Sequence, residues 1–350
     1  MIDLATLGWD AAWDAAFEEH RAAGLVPGRV TVQHRGAYDV LTDAGEIRAG
    51  LPGRARHEAE SLADLPVVGD WVALEPAADR GAPIVRAVLP RRTKFSRLAA
   101  HDPGSDVTRE QVVAANVDVV FVVASLADDL KPRLLERYLT LAWESGARPV
   151  VLLTKADLEP DPEKVAAEVA EVGGSVPVHA ISTRAGLGMD AVRSYLEPGV
   201  TAALLGPSGV GKSTLVNALA GEELLATGSL RDDGSGRHTT TRRQLVILPG
   251  GGLIVDNPGM RELQLWVAGE GLEEAFADVT ELETQCKFSD CRHEGEPGCA
   301  IQEALDEGRL DPERWRSYLD LRRELADLDE RLARRERSRA RRRKPGAGAS

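Results

Sequence analysis

Residues 206–213 are Gly206, Pro207, Ser208, Gly209, Val210, Gly211, Lys212 and Ser213, followed by Thr214. The spacing is G-x-x-x-x-G-K-S, set between an apolar run (200–205) and a helix-like segment (212–220). Glycines at those places let the backbone curl so that its N–H groups converge on phosphate oxygens. A helix N-terminus adds positive potential there. Lys212 would contribute a point charge toward the β- and γ-phosphates, and the Ser213 hydroxyl a ligand for Mg²⁺. The chemistry implied is binding of a nucleoside triphosphate.

Which base is bound depends on a second segment. Thr154, Lys155, Ala156 and Asp157 follow the apolar run 150–153 and fit [NT]-K-x-D. A carboxylate at Asp157 can accept two hydrogen bonds, from guanine N1–H and the exocyclic amine. Adenine lacks that pair of donors, and the mismatch would leave the carboxylate unpaired. Lys155 would cover the base plane. Ser182 and Thr183, after the run 176–181, fit the last guanine-contacting loop, where Ser-Ala is commoner.

Asp256, Asn257, Pro258 and Gly259 follow the run 252–255 and fit D-x-P-G. Asp256 would reach Mg²⁺ through water, and the Gly259 N–H would sense the γ-phosphate. Between the two phosphate motifs lies Gly234-Ser-Gly-Arg-His-Thr-Thr-Thr241, a polar, glycine-rich loop suited to a switch. Thr240 is the candidate for the second Mg²⁺-binding hydroxyl, with Thr239 as the fallback. Many GTPases follow D-x-P-G with a Gln that orients the attacking water. Met260 stands there and cannot do this, which predicts slow intrinsic hydrolysis. His238 either positions that water or serves packing or a partner.

The motifs run in the order guanine, phosphate loop, switch I, switch II. Ordinary GTPases begin with the phosphate loop, so this order is circularly permuted. It also sets switch II directly before the cysteine segment.

All three cysteines, Cys286, Cys291 and Cys299, fall in that segment together with His293. Three thiolates and one imidazole form a closed tetrahedral set suited to one structural zinc, with no position left for a catalytic water.

The elements that must carry these motifs follow from periodicity. Residues 4–24 have helical spacing of Trp9, Trp13 and Phe17. Five short strands are expected at 29–33, 38–42, 46–49, 67–74 and 84–89, a pattern for which an OB-fold barrel leads. Arg54, Arg56, His57, Arg91, Arg92, Lys94 and Arg97 could give it a positive face for RNA. Beyond residue 110, strands alternate with helices, which implies a mainly parallel sheet covered on both faces. The chain then turns helical, with Asp311 as N-cap and Pro312 at the first helical position. The expected fold class is multidomain. Residues 1–24 form an N-terminal helical extension, 25–100 the OB-fold domain, and 101–270 an α/β permuted P-loop GTPase. Residues 271–335 form a mainly helical zinc-binding domain, and 336–350 a basic, disordered tail.

The formal net charge is −13, but it divides unevenly: Arg331–Lys344 carry +8 and the remainder −21. A basic arm on an acidic body can still hold RNA phosphates by counterion release. No run of 18 apolar residues is present, and the N-terminus lacks the features of a secretion signal. A cytoplasmic protein without membrane contact is expected.

Together G-P-S-G-V-G-K-S, G-R-H-T-T-T, D-N-P-G, T-K-A-D and C-x₄-C-x-H-x₅-C resemble the bacterial small-ribosomal-subunit-dependent GTPase family, RsgA or YjeQ. Val68-Gly-Asp-Trp71 and Gln111-Val-Val-Ala-Ala-Asn-Val-Asp118 are similar to it as well, so the likeness covers about residues 25 to 325. It implies a GTPase acting in late maturation of the 30S subunit, bound to ribosomal RNA, cycling between GTP and GDP, and stimulated by the subunit. It implies a catalytic role for the switch I His, here His238, and a monomer is expected. Thr154 in place of Asn, Thr183 in place of Ala and the N-terminal helix depart from the family pattern. Two other classes stay open: an RNA-assembly module whose GTP hydrolysis serves only release, and a P-loop small-molecule kinase. The kinase leaves T-K-A-D unexplained.

Overall fold

The structure is a computed structural model that describes residues 1–34, 36–52, 62–77, 81–98, 110–128, 130–173, 176–225, 244–256 and 270–343. The N-terminal segment does not form the single helix expected. A 3-10 turn at Leu4–Leu7 ends at Gly8 (φ +88°), and α1 (Ala11–Ala22) starts afresh. Asp10 stands in extended backbone and its carboxylate accepts the Ala12 and Trp13 N–H groups, 3.0 Å each, as an N-cap does. The break lets the chain lie close to Gly199: a Cβ on Gly8 would sit 2.6 Å from the Gly199 carbonyl oxygen.

Five strands follow: β1 (Val26–Gln33), β2 (Ala37–Thr42), β3 (Gly45–Gly50), β4 (Trp71–Glu75) and β5 (Ile84–Val88). They pair in the order β1-β2-β3-β5-β4 and close through β1–β4, which makes the expected OB-like barrel. Its interior is Val30, Tyr38, Val40, Ala49, Val72, Leu74 and Val85. The expected strand from residue 67 begins only at Trp71. Val68-Gly69-Asp70 forms a turn instead, in which Gly69 has φ +91° and the Asp70 carboxylate accepts the Val67 N–H at 2.8 Å. An antiparallel ribbon, β6 (Lys94–Leu98) with β7 (Glu110–Ala115), leads out of the barrel. Its alternating polar residues hide it from a search for apolar runs.

The second half of the sheet is built from β8 (Val119–Ser125), α2 (Pro132–Glu144), β9 (Arg148–Thr154), α3 (Pro162–Gly173), β10 (Val178–Ala180), α4 (Met189–Arg193), β11 (Thr201–Leu205), α5 (Lys212–Ala220), β12 (Gln244–Ile247) and β13 (Leu253–Asp256). The order is β10-β9-β8-β11-β13-β12, with the first five parallel and β12 antiparallel to β13. Alternate residues of β8 feed opposite cores, Val120 and Val122 one and Val119, Phe121 and Val123 the other. The Val32–Gln244 pair joins this sheet to the barrel.

Four helices complete the chain: α6 (Glu270–Ala275), α7 (Ala277–Thr284), α8 (Ala300–Asp306) and α9 (Pro312–Arg343). Asp311 caps α9, and Tyr318, Leu321, Leu325 and Leu328 bury one stripe of it. The helix continues to Arg343, well into the segment expected to be a disordered tail. Arginine is a good helix former, and no Gly or Pro interrupts the run before Pro345.

Arg29, on β1, binds these parts together. It is 2% exposed, and its guanidinium donates to the carbonyls of Leu7 and Asn116 and to Thr201 Oγ1, the last two at 3.0 and 2.7 Å. Its face lies over Trp71, 5.5 Å from the ring centre. Burial lowers its pKa to about 10, partly offset by Asp118 and Asp70, so the cation persists at neutral pH. Arg29→Met should destabilise the protein by about 3 kcal/mol, because it strands buried acceptors. Urea unfolding followed by tryptophan emission would measure this; a loss under roughly 0.5 kcal/mol would contradict the bracing role.

Candidate functional site

The described residues of the phosphate and guanine motifs meet at the C-terminal edge of the parallel strands, where open α/β sheets place their ligands. Gly206 directly follows β11, with φ +144°. A Cβ there would lie 2.2 Å from the Val123 carbonyl oxygen of β8, so only glycine lets the loop leave its strand. Gly209 and Gly211 also take positive φ, and α5 starts at Lys212 with Gly211 as N-cap. Val210 is buried beneath the loop, whereas Ser208, Gly209 and Thr214 are exposed. The Lys212 ammonium folds back onto the loop, donating to the carbonyls of Gly206 (2.7 Å) and Pro207. Lys212, Ser213 and Asp256 line one recess, floored by Leu204, Val216 and Val255. That recess brings together the cation, a hydroxyl and a carboxylate that a Mg²⁺-triphosphate requires.

The guanine segment stands beside it. Thr154, at the end of β9, is buried, and its Oγ1 lies 2.5 Å from the Val210 carbonyl oxygen and 3.1 Å from that of Ala124. One hydroxyl hydrogen serves one acceptor at a time; the shorter contact ties the guanine strand to the phosphate loop. Lys155 adopts left-handed backbone (φ +60°), with its ammonium 3.5 Å from Asp128. Asp157 is exposed in the turn Ala156–Leu158. Ser182 Oγ donates to its Oδ1 at 2.6 Å and accepts the Ala185 N–H at 3.1 Å. The Ser182 bond is the main reason the Asp157 carboxyl titrates below the usual range, so it is ionised at neutral pH. Thr183 follows, half-buried. His238, Thr239, Thr240, Gly259 and Met260 lie outside the described residues.

Cys286, Cys291, His293 and Cys299 converge, their ligand atoms all within 4.8 Å of one another. Tetrahedral zinc thiolates stand about 3.7 Å apart, so the donor set and spacing fit such an ion. His293 Nδ1 is 3.5 Å from Cys286 Sγ and 3.4 Å from Cys299 Sγ. Cys286 follows α7 and Cys299 is the N-cap of α8, so an ion bound there would join two helices and the loop between them.

Among the described residues, the barrel cations named from the sequence each have a partner within the chain. Arg91 is 12% exposed and pairs with the fully buried Asp70 at 2.7 Å, while donating to the carbonyls of Ala63 and Leu65. Arg92 is paired with Asp10 and lies over Trp13, and Lys94 is paired with Glu110. Arg97 donates to the Gln111 side chain. Arg54, Arg56 and His57 lie outside the described residues. Neither Arg29 nor the Arg91–Asp70 pair had a local sequence signal.

The RsgA GTPase family model matches residues 88–266. A relative from Opitutus terrae, named Small ribosomal subunit biogenesis GTPase RsgA, is 47% identical, covering 97% of this chain and 95% of its own. The chain belongs to the RsgA GTPase family. It is therefore a GTPase, and its permuted motif order is that of a family enzyme. A like-named RsgA from Streptomyces coelicolor is also 47% identical, over 92% of this chain and 86% of that one. Among solved structures, YjeQ from Thermotoga maritima aligns with TM-score 0.64 and 28% identity, covering 86% of this chain and 99% of that one. YloQ, described as a circularly permuted GTPase, shares the fold with TM-score 0.61. Among the described residues no helix is long and apolar enough to cross a membrane.

Proposed function

We propose that this GTPase acts in maturation of the small (30S) ribosomal subunit, and that the subunit and its rRNA are the partner that stimulates hydrolysis. The observation that carries this reading is 47% identity, over nearly the whole chain, to relatives named for that role. In it, Gly206, Pro207, Ser208, Gly209, Val210, Gly211 and Thr214 wrap and flank the phosphates, and Lys212 meets the β- and γ-oxygens. Asp157, steadied by Ser182, accepts the two guanine donors; Thr154, Lys155 and Thr183 complete the base site. Ser213, Thr240 and Asp256 would hold Mg²⁺, which spreads charge over the phosphates when bound. Gly259 senses the γ-phosphate. His238 orients the attacking water, since Met260 cannot. Cys286, Cys291, His293 and Cys299 hold one structural zinc. The enzyme works as a monomer in the cytoplasm, and its domains follow the boundaries near residues 25, 101 and 271.

The test is GTP turnover with and without purified small subunits at matched salt, with ATP as control. A rise of at least about a hundredfold, on the scale of other partner-activated GTPases, is expected for GTP alone. Equal slow turnover with and without subunits would overturn the ribosomal assignment and leave the GTPase standing.

A further inference from the structure

We infer that Glu283 is the positioning residue of the metal centre: it fixes how His293 offers its nitrogen and couples the centre to α9. The inference rests on the zinc reading above. His293 Nδ1 faces the thiolates, and its Nε2 lies 3.4 Å from Glu283 Oε1. A metal on Nδ1 leaves the ring proton on Nε2, the nitrogen that neighbours that carboxylate. Such a pair selects the tautomer, fixes the ring plane and raises the basicity of the coordinating nitrogen.

Glu283 is itself held. Its Oε2 accepts the Tyr318 hydroxyl and its Oε1 accepts Arg322 Nη1, each at 2.9 Å. Both donors stand on α9, whereas Glu283 ends α7. The ring of His293 also meets Trp315 of α9 edge-on, with centroids 5.6 Å apart. Its carbonyl accepts Gln302 Nε2 at 2.7 Å, and its backbone takes φ +62°, uncommon for a side-chain-bearing residue. The imidazole is thus set by α8 through the main chain and by α7 and α9 through Glu283 and Trp315. α9 in turn is tied to α2 of the GTPase domain by Arg314–Glu136 and Arg137–Glu324, at 2.9 and 2.7 Å. The carboxylate therefore joins the metal loop to the helix that braces the GTPase domain.

The test uses the full-length, zinc-loaded protein. Zinc release to a chromophoric chelator should be about 10–100-fold faster in Glu283→Gln, which keeps the shape and weakens the acceptor. The ligand-field absorption of the Co²⁺-substituted protein should shift, because a purely structural role for Glu283 leaves the imidazole's basicity alone. The double variant Tyr318→Phe, Arg322→Gln keeps Glu283 but frees it from α9; a several-fold acceleration is expected. It also serves if Glu283→Gln does not fold. Unchanged release and an unchanged cobalt spectrum, with one zinc still bound per chain, would overturn the role of Glu283 alone. Wild-type protein that takes up no zinc would overturn the metal reading itself.

Discussion

Lys212→Ala is expected to lower single-turnover GTP hydrolysis by about a hundredfold or more, the usual loss when one preorganised donor at the developing charge is removed. That corresponds to roughly 2.7 kcal/mol of transition-state stabilisation. The ammonium rests on the Gly206 and Pro207 carbonyls, so it is held in place before any phosphate arrives. Bound phosphate oxygens would compete for those same hydrogens, and the charge would meet them without searching for a conformer. Lys212→Arg should be impaired as well, since a planar fork does not reproduce a compact point charge inside a closed loop. Phosphate release under enzyme excess, with small subunits present, measures both variants. Hydrolysis within about threefold of wild type would remove Lys212 from the chemistry.

Metal removal is expected to have the largest effect on stability. In small zinc domains the ion contributes on the order of 10 kcal/mol of apparent folding free energy at neutral pH. The loop from Cys286 to Cys299 adds little apolar burial of its own: Phe288 is 45% exposed, and the neighbouring core is Phe276, Val279, Ile301 and Ala304. Stripping the metal should open residues 285–299 to proteolysis and loosen α8. GTP binding should survive. Among the described residues, the core beneath the phosphate loop, with Leu215, Val216 and Leu219 of α5, contains none from the C-terminal helices. Limited proteolysis and nucleotide affinity, compared before and after chelation, would decide. An unchanged cleavage pattern after complete zinc loss would contradict a structural role for the ion.

The candidate site was legible because its determinants are local. Glycines at 206, 209 and 211 carry the positive φ angles that the loop needs, and each lies within a few residues of the groups it arranges. Asp157 and Ser182 stand at the ends of adjacent parallel strands, so two apolar runs placed them together in advance. The cysteine spacing marked four candidate ligands, and they do converge. Barrel strands showed as short runs set apart by Gly, Pro and Asp.

What tertiary structure alone decided involves partners far apart in the chain. Arg29 and Thr201 are 172 positions apart, and nothing near either residue marks the contact. Arg91 looked like any surface cation until the barrel put Asp70 and two carbonyls around it. Helical spacing of Trp9, Trp13 and Phe17 predicted one helix, but close approach to Gly199 required the break at Gly8. Glu283 and Arg322 would pass for surface charges in sequence, yet folding sets them behind His293. Local backbone geometry follows from residue type and spacing. The identity of the group that satisfies a buried charge depends on which distant segments pack together.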